Sequence, residues 1–304
     1  MPPRVLIFSA PLRQFPFRQV RGNATLGTSA HGAVINVQQI PAPGAGHIRV
    51  LLLNRPEARN AISKQLLSSL GAHIDSISAE RGVGPTRALI VASNVDASFC
   101  AGADLKERAK FTREETDAFL AQLRQTFANL EALQIPTISA ISSMALGGGL
   151  ELALSTHLRV FGSTSIVGLP ETRLAIIPGA GGTHRLPRLI GQNRALDMIL
   201  TGRRVSAPEA YFIGLCNRLV EISPEEQAQA GAAREKVLHE SIKLALDICE
   251  GGPIALKQAV KAVTGYERGQ EGENEAYLGV VDTEDRYEAL KAFAEKRKPC
   301  FKGR

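Results

Sequence analysis

The stretch Ser143-Met-Ala-Leu-Gly-Gly-Gly-Leu-Glu-Leu-Ala-Leu154 constrains this chain more than any other. Three consecutive glycines, Gly147 to Gly149, remove every Cβ, so the backbone can lie flat against a ligand with its N–H groups facing outward. Leu150-Glu-Leu-Ala-Leu-Ser155 then reads as a helix, which puts those amides at a helix N-terminus. Such a terminus favours negative charge, including charge that develops on an oxygen during a reaction. Glu151 follows two residues after the glycines. Read alone, the stretch also fits a tight strand-to-helix turn in which the glycines only relieve crowding, and it does not choose between the two.

The neighbouring sequence alternates strand and helix patterns. Ile48-Arg-Val-Leu-Leu-Leu53 reads as a buried strand ended by Asn54-Arg-Pro56. Ala61 to Ile77 has helical spacing with a cap at Ser63, and Ala88 to Ala92 is a second strand. Thr112-Arg-Glu-Glu115 caps a long amphipathic helix reaching about Leu133. Pro136 to Ile141 is a third strand, and Leu158–Phe161 and Ile166–Gly168 are short ones. This order predicts an α/β architecture. Beyond Val220 the patterns are helical only: Pro224 to Cys249, Pro253 to Val263 and Glu284 to Lys296. The expected organisation is a leader over 1–30, an α/β core over 31–220 and a helical region over 221–304.

Charge decides what partners to expect. The net charge of +6 resides in residues 1–56, which hold six arginines, no lysine and no acid; the remainder carries 30 basic and 30 acidic residues. A globally basic, nucleic-acid-binding surface is therefore not expected. Arg4, Arg13, Arg18 and Arg21 among apolar and hydroxyl residues give the leader the signature of a mitochondrial transit peptide, which points to the mitochondrial matrix. Pro2, Pro3, Pro11 and Pro16 interrupt any long helix there, and a cytosolic tail is the alternative. No apolar run approaches the roughly 20 residues of a membrane helix, so no membrane association is expected. The four cysteines (Cys100, Cys216, Cys249, Cys300) have no CxxC spacing and read as reduced thiols.

Two carboxylates stand out, Glu151 and Glu171, the latter in Gly168-Leu-Pro-Glu-Thr172. Twenty positions apart with a strand between, they meet only if the fold brings them together; separately, each reads as a solvated acid. Paired in one pocket, they would suit general acid–base work.

Four stretches in order change that balance: Asn54-Arg-Pro-Glu-Ala-Arg-Asn-Ala61, Phe99-Cys-Ala-Gly-Ala-Asp-Leu105, Ala145-Leu-Gly-Gly-Gly-Leu-Glu-Leu-Ala153 and Leu169-Pro-Glu-Thr-Arg-Leu-Ala-Ile-Ile-Pro-Gly-Ala-Gly-Gly-Thr183. Together they resemble the enoyl-CoA hydratase/isomerase (crotonase) superfamily over Ile48 to Lys302. The finer likeness, carried by Phe99–Lys110, Gly147–Leu154 and Asp285–Arg297, is to members that hydrate 3-methylglutaconyl-CoA in leucine breakdown, also described as binding AU-rich RNA. The resemblance implies a crotonase-type spiral of ββα repeats, with a helical C-terminal region that builds homotrimers or dimers of trimers.

By the same likeness, the Ala103 and Gly148 N–H groups form an oxyanion hole for a thioester carbonyl, and Glu151 and Glu171 flank the added water. Glu151 would orient and deprotonate it, and Glu171 would deliver the proton to the α-carbon. Arg55, Ala58, Arg59 and Ala61 map onto the coenzyme A site, with Ala101, Gly102, Asp104, Leu105 and Gly147 along the acyl-CoA. Phe293 and Lys296 would come from a neighbouring subunit. No metal and no separate cofactor are implied, because coenzyme A is part of the substrate. A distal substrate carboxylate would call for a cation, with Lys106, Arg108 and Lys110 nearby in sequence.

Some positions depart from the family pattern: Ser142-Ser143, Thr156-His157 and His184. His157, past the active helix, reads as structural. The lysine-rich face of the RNA-binding relative is reduced here to Arg59 and Lys64, with Ser68 and Ala72 where lysines would extend it, so RNA binding is doubtful. Pro178-Gly-Ala-Gly-Gly-Thr183 lacks the G-x-G-x-x-G spacing of a dinucleotide fold. The main alternative is a short-chain enoyl-CoA hydratase of fatty-acid β-oxidation.

Overall fold

The computed structural model describes residues 33–304, so the expected leader over 1–30 lies outside the described residues. β1 (Ile35–Pro41) and β2 (His47–Leu53) pair antiparallel. After α1 (Lys64–Ser78), β3 (Thr86–Ser93) joins β2 in parallel. α2 (Leu105–Arg108) and α3 (Arg113–Glu131) lead to β4 (Thr137–Ile141), again parallel. All eight residues of β3 are buried, as a strand covered on both faces requires.

The two faces have different cover. Leu51, Leu53, Leu89 and Val91 face a cluster shared with Leu67 and Ile74 of α1 and Phe127 of α3. The alternate residues, Val50, Leu52, Ala88 and Ile90, face Val237, Leu244 and Ala245. Period-two alternation thus divides each strand between two cores. α1 buries Leu66, Leu70, Ile74 and Ile77 at helical spacing, and Ser63 caps it by accepting from Leu66 N–H. α3 opens with a full capping box between Thr112 and Glu115.

A ββα unit recurs along the chain. β4 is followed by β5 (Met144–Leu146) and α4 (Gly148–Leu154). β6 (Leu158–Gly162) is followed by β7 (Ile166–Gly168), a four-residue 3₁₀ turn at Glu171–Leu174, and α5 (Gly182–Ile190). The first strand of each unit extends the large sheet, ordered β1-β2-β3-β4-β6, and the second builds a smaller layer. In the two earlier units the second strand shrinks to single bridges, Ile62 with Ala103 and Cys100 with Ala145. Four turns of a spiral result.

α6 (Gln192–Thr201), β8 (Arg204–Ser206), α7 (Ala207–Phe212) and β9 (Arg218–Val220) complete the sheets, β8 antiparallel to β7 and β9 parallel to β6. α8 (Pro224–Ala228), α9 (Ala232–Cys249), α10 (Pro253–Thr264), α11 (Gly269–Val281) and α12 (Glu284–Ala294) follow. α9 covers the second face of the large sheet. The single helix expected over Pro224–Cys249 is divided where Gly231 adopts φ +83°. α11 was not expected, because its sequence buries only Gly272 and Ala276 and carries no apolar stripe. All four cysteines are free, and burial pushes the Cys100 thiol up to about 12. Among the described residues no helix is long and apolar enough to cross a membrane.

Glycine 149 ties α4 to this frame. A Cβ there would overlap the Cys100 carbonyl oxygen, a backbone atom that cannot swing away. Gly149→Ala should therefore cost about 3 kcal/mol or more by overpacking. Gly71→Ala, on α1 with only Thr126 Oγ1 at 3.6 Å, should gain up to about 1 kcal/mol from helix propensity. Thermal denaturation of both variants checks the contrast.

Candidate active site

The site begins at the turn into α4. Gly147 adopts φ +53° and ψ −128°, a conformation that favours glycine, and its N–H donates to the Gly168 carbonyl at 2.9 Å. Gly148 N–H is the first amide of α4; no helical carbonyl lies four residues behind it, and Gly147 has no side chain to cap it.

The facing amide belongs to Ala103. In the Ile62–Ala103 bridge, Ile62 N–H donates to Gly102 O at 2.8 Å and Asp104 N–H donates to Ile62 O at 3.1 Å. These bonds use the groups before and after Ala103, so its own N–H turns away from Ile62. A Cβ on Gly148 would lie 3.7 Å from Ala103 N, and one on Gly102 would lie 3.5 Å from Gly148 N. Two amides thus converge where no side chain intervenes. They line a cavity of about 480 Å³ together with Ala101, Gly102, Leu105, Gly147, Glu151 and Glu171.

The two carboxylates have different surroundings. Glu151, on α4, is 3% exposed, and its Oε1 accepts from Ala180 N–H and Gly182 N–H, each at 2.8 Å. Burial pushes its pKa up; those two amides, with Arg185 and Arg124, oppose the rise. The holding loop is braced from behind. Buried Arg185 donates to the Ala180 carbonyl at 2.9 Å and pairs with Glu131 at 2.8 Å, while Arg124 Nε donates to Gly179 O at 2.7 Å.

Glu171 starts the 3₁₀ turn after Pro170 and is 8% exposed. Its Oε2 is buried with no hydrogen-bond partner among the described residues. Burial pushes its carboxyl up to about 7; the amide of its own turn opposes this and the charge of Glu151 adds to it. Its Oε1 lies 3.1 Å from where a Gly147 Cβ would be, a second reason for glycine there.

Nine of the candidate residues named from sequence line this one cavity: Ala101, Gly102, Ala103, Leu105, Arg108, Gly147, Gly148, Glu151 and Glu171. Others do not. Arg55 is engaged in the protein, with its guanidinium on Asp104 Oδ2 at 3.1 Å and on the Ala61 carbonyl. Asp104 also caps α2 by accepting from Glu107 N–H at 3.2 Å. Ala58 ends a short 3₁₀ turn, and Arg59 beside it is exposed. Phe293, in the last turn of α12, and Lys296, just beyond that helix, do not line the cavity within one chain. Of Lys106, Arg108 and Lys110, Arg108 alone lines it, joined by Arg124. Away from the site, His157 Nδ1 accepts from Thr137 N–H at 3.2 Å, the structural role expected of it.

Sequence reasoning missed the amides of Ala180 and Gly182. Their signal was the glycine density of Pro178–Thr183, read as part of a family stretch and against a dinucleotide motif, with no task given to its amides.

A spiral of ββα units that opens two backbone amides onto a pair of buried glutamates defines a narrow class of proteins. The chain belongs to the enoyl-CoA hydratase/isomerase family, whose model matches residues 44–304. It is 58% identical to a methylglutaconyl-CoA hydratase 1, mitochondrial, of Pyricularia oryzae, over 89% of this chain and 87% of that one. It is 57% identical to an enoyl-CoA isomerase/hydratase of Zymoseptoria tritici, over 92% of each. The crystal structure of an enoyl-CoA hydratase from Bacillus anthracis superposes with a TM-score of 0.80 at 39% identity, over 90% of this chain and 100% of that one.

The Glu171 environment has a measurable consequence. Its folded pKa, about 7, exceeds the ordinary 4.5, so the folded state binds the proton more tightly and loses stability as pH rises through that window. Glu171→Gln removes the penalty. Its Tm advantage over the parent should be small near pH 4.5 and grow to a plateau above pH 7. A pH-independent difference in calorimetric scans would contradict the assignment.

Proposed function

We propose that this chain is an enzyme adding water across the α,β double bond of a 2-enoyl-CoA thioester, with 3-methylglutaconyl-CoA as the substrate. One observation carries the reaction type: two buried carboxylates and two converging backbone amides share a single cavity.

In this reading the thioester carbonyl accepts from Ala103 N–H and Gly148 N–H. As water attacks the β-carbon, the π electrons move to that oxygen and form an enolate. The two amides stabilise it without reorganising, and losing one such donor typically costs about 3–4 kcal/mol. Glu151, held through Oε1, offers its other oxygen to the water and takes its proton. Glu171, with a carboxyl that titrates near 7, delivers a proton to the α-carbon as the enolate collapses. Proton exchange between the two acids and water resets them. Two acids favour hydration over a simple shift of the double bond, for which one acid suffices.

The relative in Pyricularia oryzae supports the choice of acyl group. So does Arg108, a cation in a lining otherwise rich in Leu120, Leu123, Leu174, Ile176 and Ile177, suited to the distal carboxylate. A short-chain 2-enoyl-CoA is the second reading, favoured by that same apolar lining. No metal or separate cofactor enters the chemistry.

A homotrimer or a dimer of trimers fits the C-terminal helices, where Val263, Leu278 and Phe293 are 72%, 73% and 86% exposed. In such an assembly Phe293 and Lys296 would reach a neighbour's coenzyme A, with Arg59 exposed beside the 3₁₀ turn that ends at Ala58. We place the enzyme in the mitochondrial matrix, on the leader's composition and the mitochondrial designation of the Pyricularia relative. In this reading the chain has an α/β core over 31–220 and a helical region over 221–304. RNA binding stays doubtful.

Two measurements test this reading. Glu151→Gln and Glu171→Gln should each lower kcat on 3-methylglutaconyl-CoA by about 10²–10⁴-fold, and full activity in either would refute the mechanism. Arg108→Ala should raise KM for 3-methylglutaconyl-CoA by about 10–100-fold and move KM for crotonyl-CoA far less. A parent enzyme that strongly prefers crotonyl-CoA would overturn the substrate assignment.

A further inference from the structure

The segment from Arg55 to Ile62 turns through two consecutive left-handed residues that are not glycine, Arg59 (φ 50°) and Asn60 (φ 56°). Asparagine tolerates that conformation better than most residues. Asn60 is fully buried and lies outside the wall of the active-site cavity. Its side chain is bonded at both ends. Oδ1 accepts from Arg55 N–H at 2.7 Å, and Nδ2 donates to Ser93 Oγ at 2.8 Å and to the Phe99 carbonyl at 3.0 Å. Both N–H groups of the amide are thereby used.

The backbone continues the attachment. Cys100 Sγ donates to the Asn60 carbonyl at 3.0 Å, and Ala101 N–H donates to the Arg59 carbonyl at 3.1 Å. Ile62 then takes Gly102 and Asp104 in the bridge that turns the Ala103 amide toward the cavity. The strand-like run Phe99–Asp104 therefore hangs rung by rung from the 55–62 turn. Through Ser93 the same amide also joins the end of β3.

We infer that Asn60 is a positioning residue for the reaction: it fixes the Phe99–Ala103 backbone, and with it the direction of the Ala103 N–H, without touching substrate. The inference rests on the assignment of that N–H to the thioester oxygen. A shift of about 1 Å in such a donor is enough to cost about 100-fold in rate.

The test is Asn60→Gly, which keeps the left-handed turn and deletes the side-chain bonds. With 2-enoyl-CoA substrate, kcat should fall about 10–100-fold while KM stays within about threefold, because the loss falls on the transition state. The red shift of a chromophoric, conjugated enoyl thioester on binding, which reads carbonyl polarisation directly, should shrink in parallel. Ile77→Ala, at the far end of α1, should lower Tm while leaving kcat per folded molecule and the red shift unchanged. If Asn60→Gly does not fold, Ser93→Ala strips one acceptor from Nδ2 and should give a smaller loss of about two- to fivefold with the same signature. Variants that lose only Tm, with kcat and red shift intact, would overturn the inference. Absence of hydration and red shift in the parent enzyme would instead bring down the assignment of Ala103, and this inference with it.

Discussion

The close seating of α4 on the backbone of the preceding turn governs this structure. Every residue of α4 is buried, and Gly149 lies against the Cys100 carbonyl with no room for a side chain. Because helix and strand touch there at backbone distance, the amides of Gly148 and Ala103 become neighbours. Glu151 is carried on the same helix to the 178–182 loop, and Gly147 leaves the space that Glu171 fills. A larger residue at position 149 would separate all four groups at once. Packing and chemistry are in this sense the same constraint, since interiors are too dense to yield by even a methyl group.

The pair of carboxylates draws its usefulness from unequal treatment. Both are buried, yet Glu151 is held by two amides, whereas Glu171 has a buried oxygen with no partner among the described residues. Hydrogen bonds to the charged form favour ionisation, and burial without them favours the proton. Two residues of one type are thus given opposite tasks by their neighbours. The cost of the unpaired oxygen is borne by stability, a common feature of functional sites.

Much of this was legible in the sequence, and the gaps have physical reasons. β2, β3, β4, α1 and α3 carry strong apolar periodicity because each is buried on a defined face, and their expected bounds fall close to the observed ones. Glu151, Glu171, Ala103 and Gly148 stood out through motifs in a fixed order. β1 was not read: as an edge strand it buries little beyond Ile35. Arg55 was mapped onto the coenzyme A site, and its pairing with Asp104 was hidden because Asp104 is remote in sequence and reaches it only through the Ile62 bridge. The service of Ala180 and Gly182 to Glu151 was equally hidden, since it is performed by backbone amides across about thirty residues. Local pattern reveals which face is buried; it does not reveal which distant peptide will face a given side chain.

The grip on Glu151 has one more consequence. With Oε1 committed to two amides, the carboxylate keeps a single working oxygen, and helix α4 gives it one fixed bearing. In the proposed reading, the amides of Ala103 and Gly148 in turn define the plane in which a thioester carbonyl lies. A flat, prochiral alkene held in that plane presents only one of its faces to the water. On that reading, the handedness of the resulting alcohol follows from the seating of a seven-residue helix.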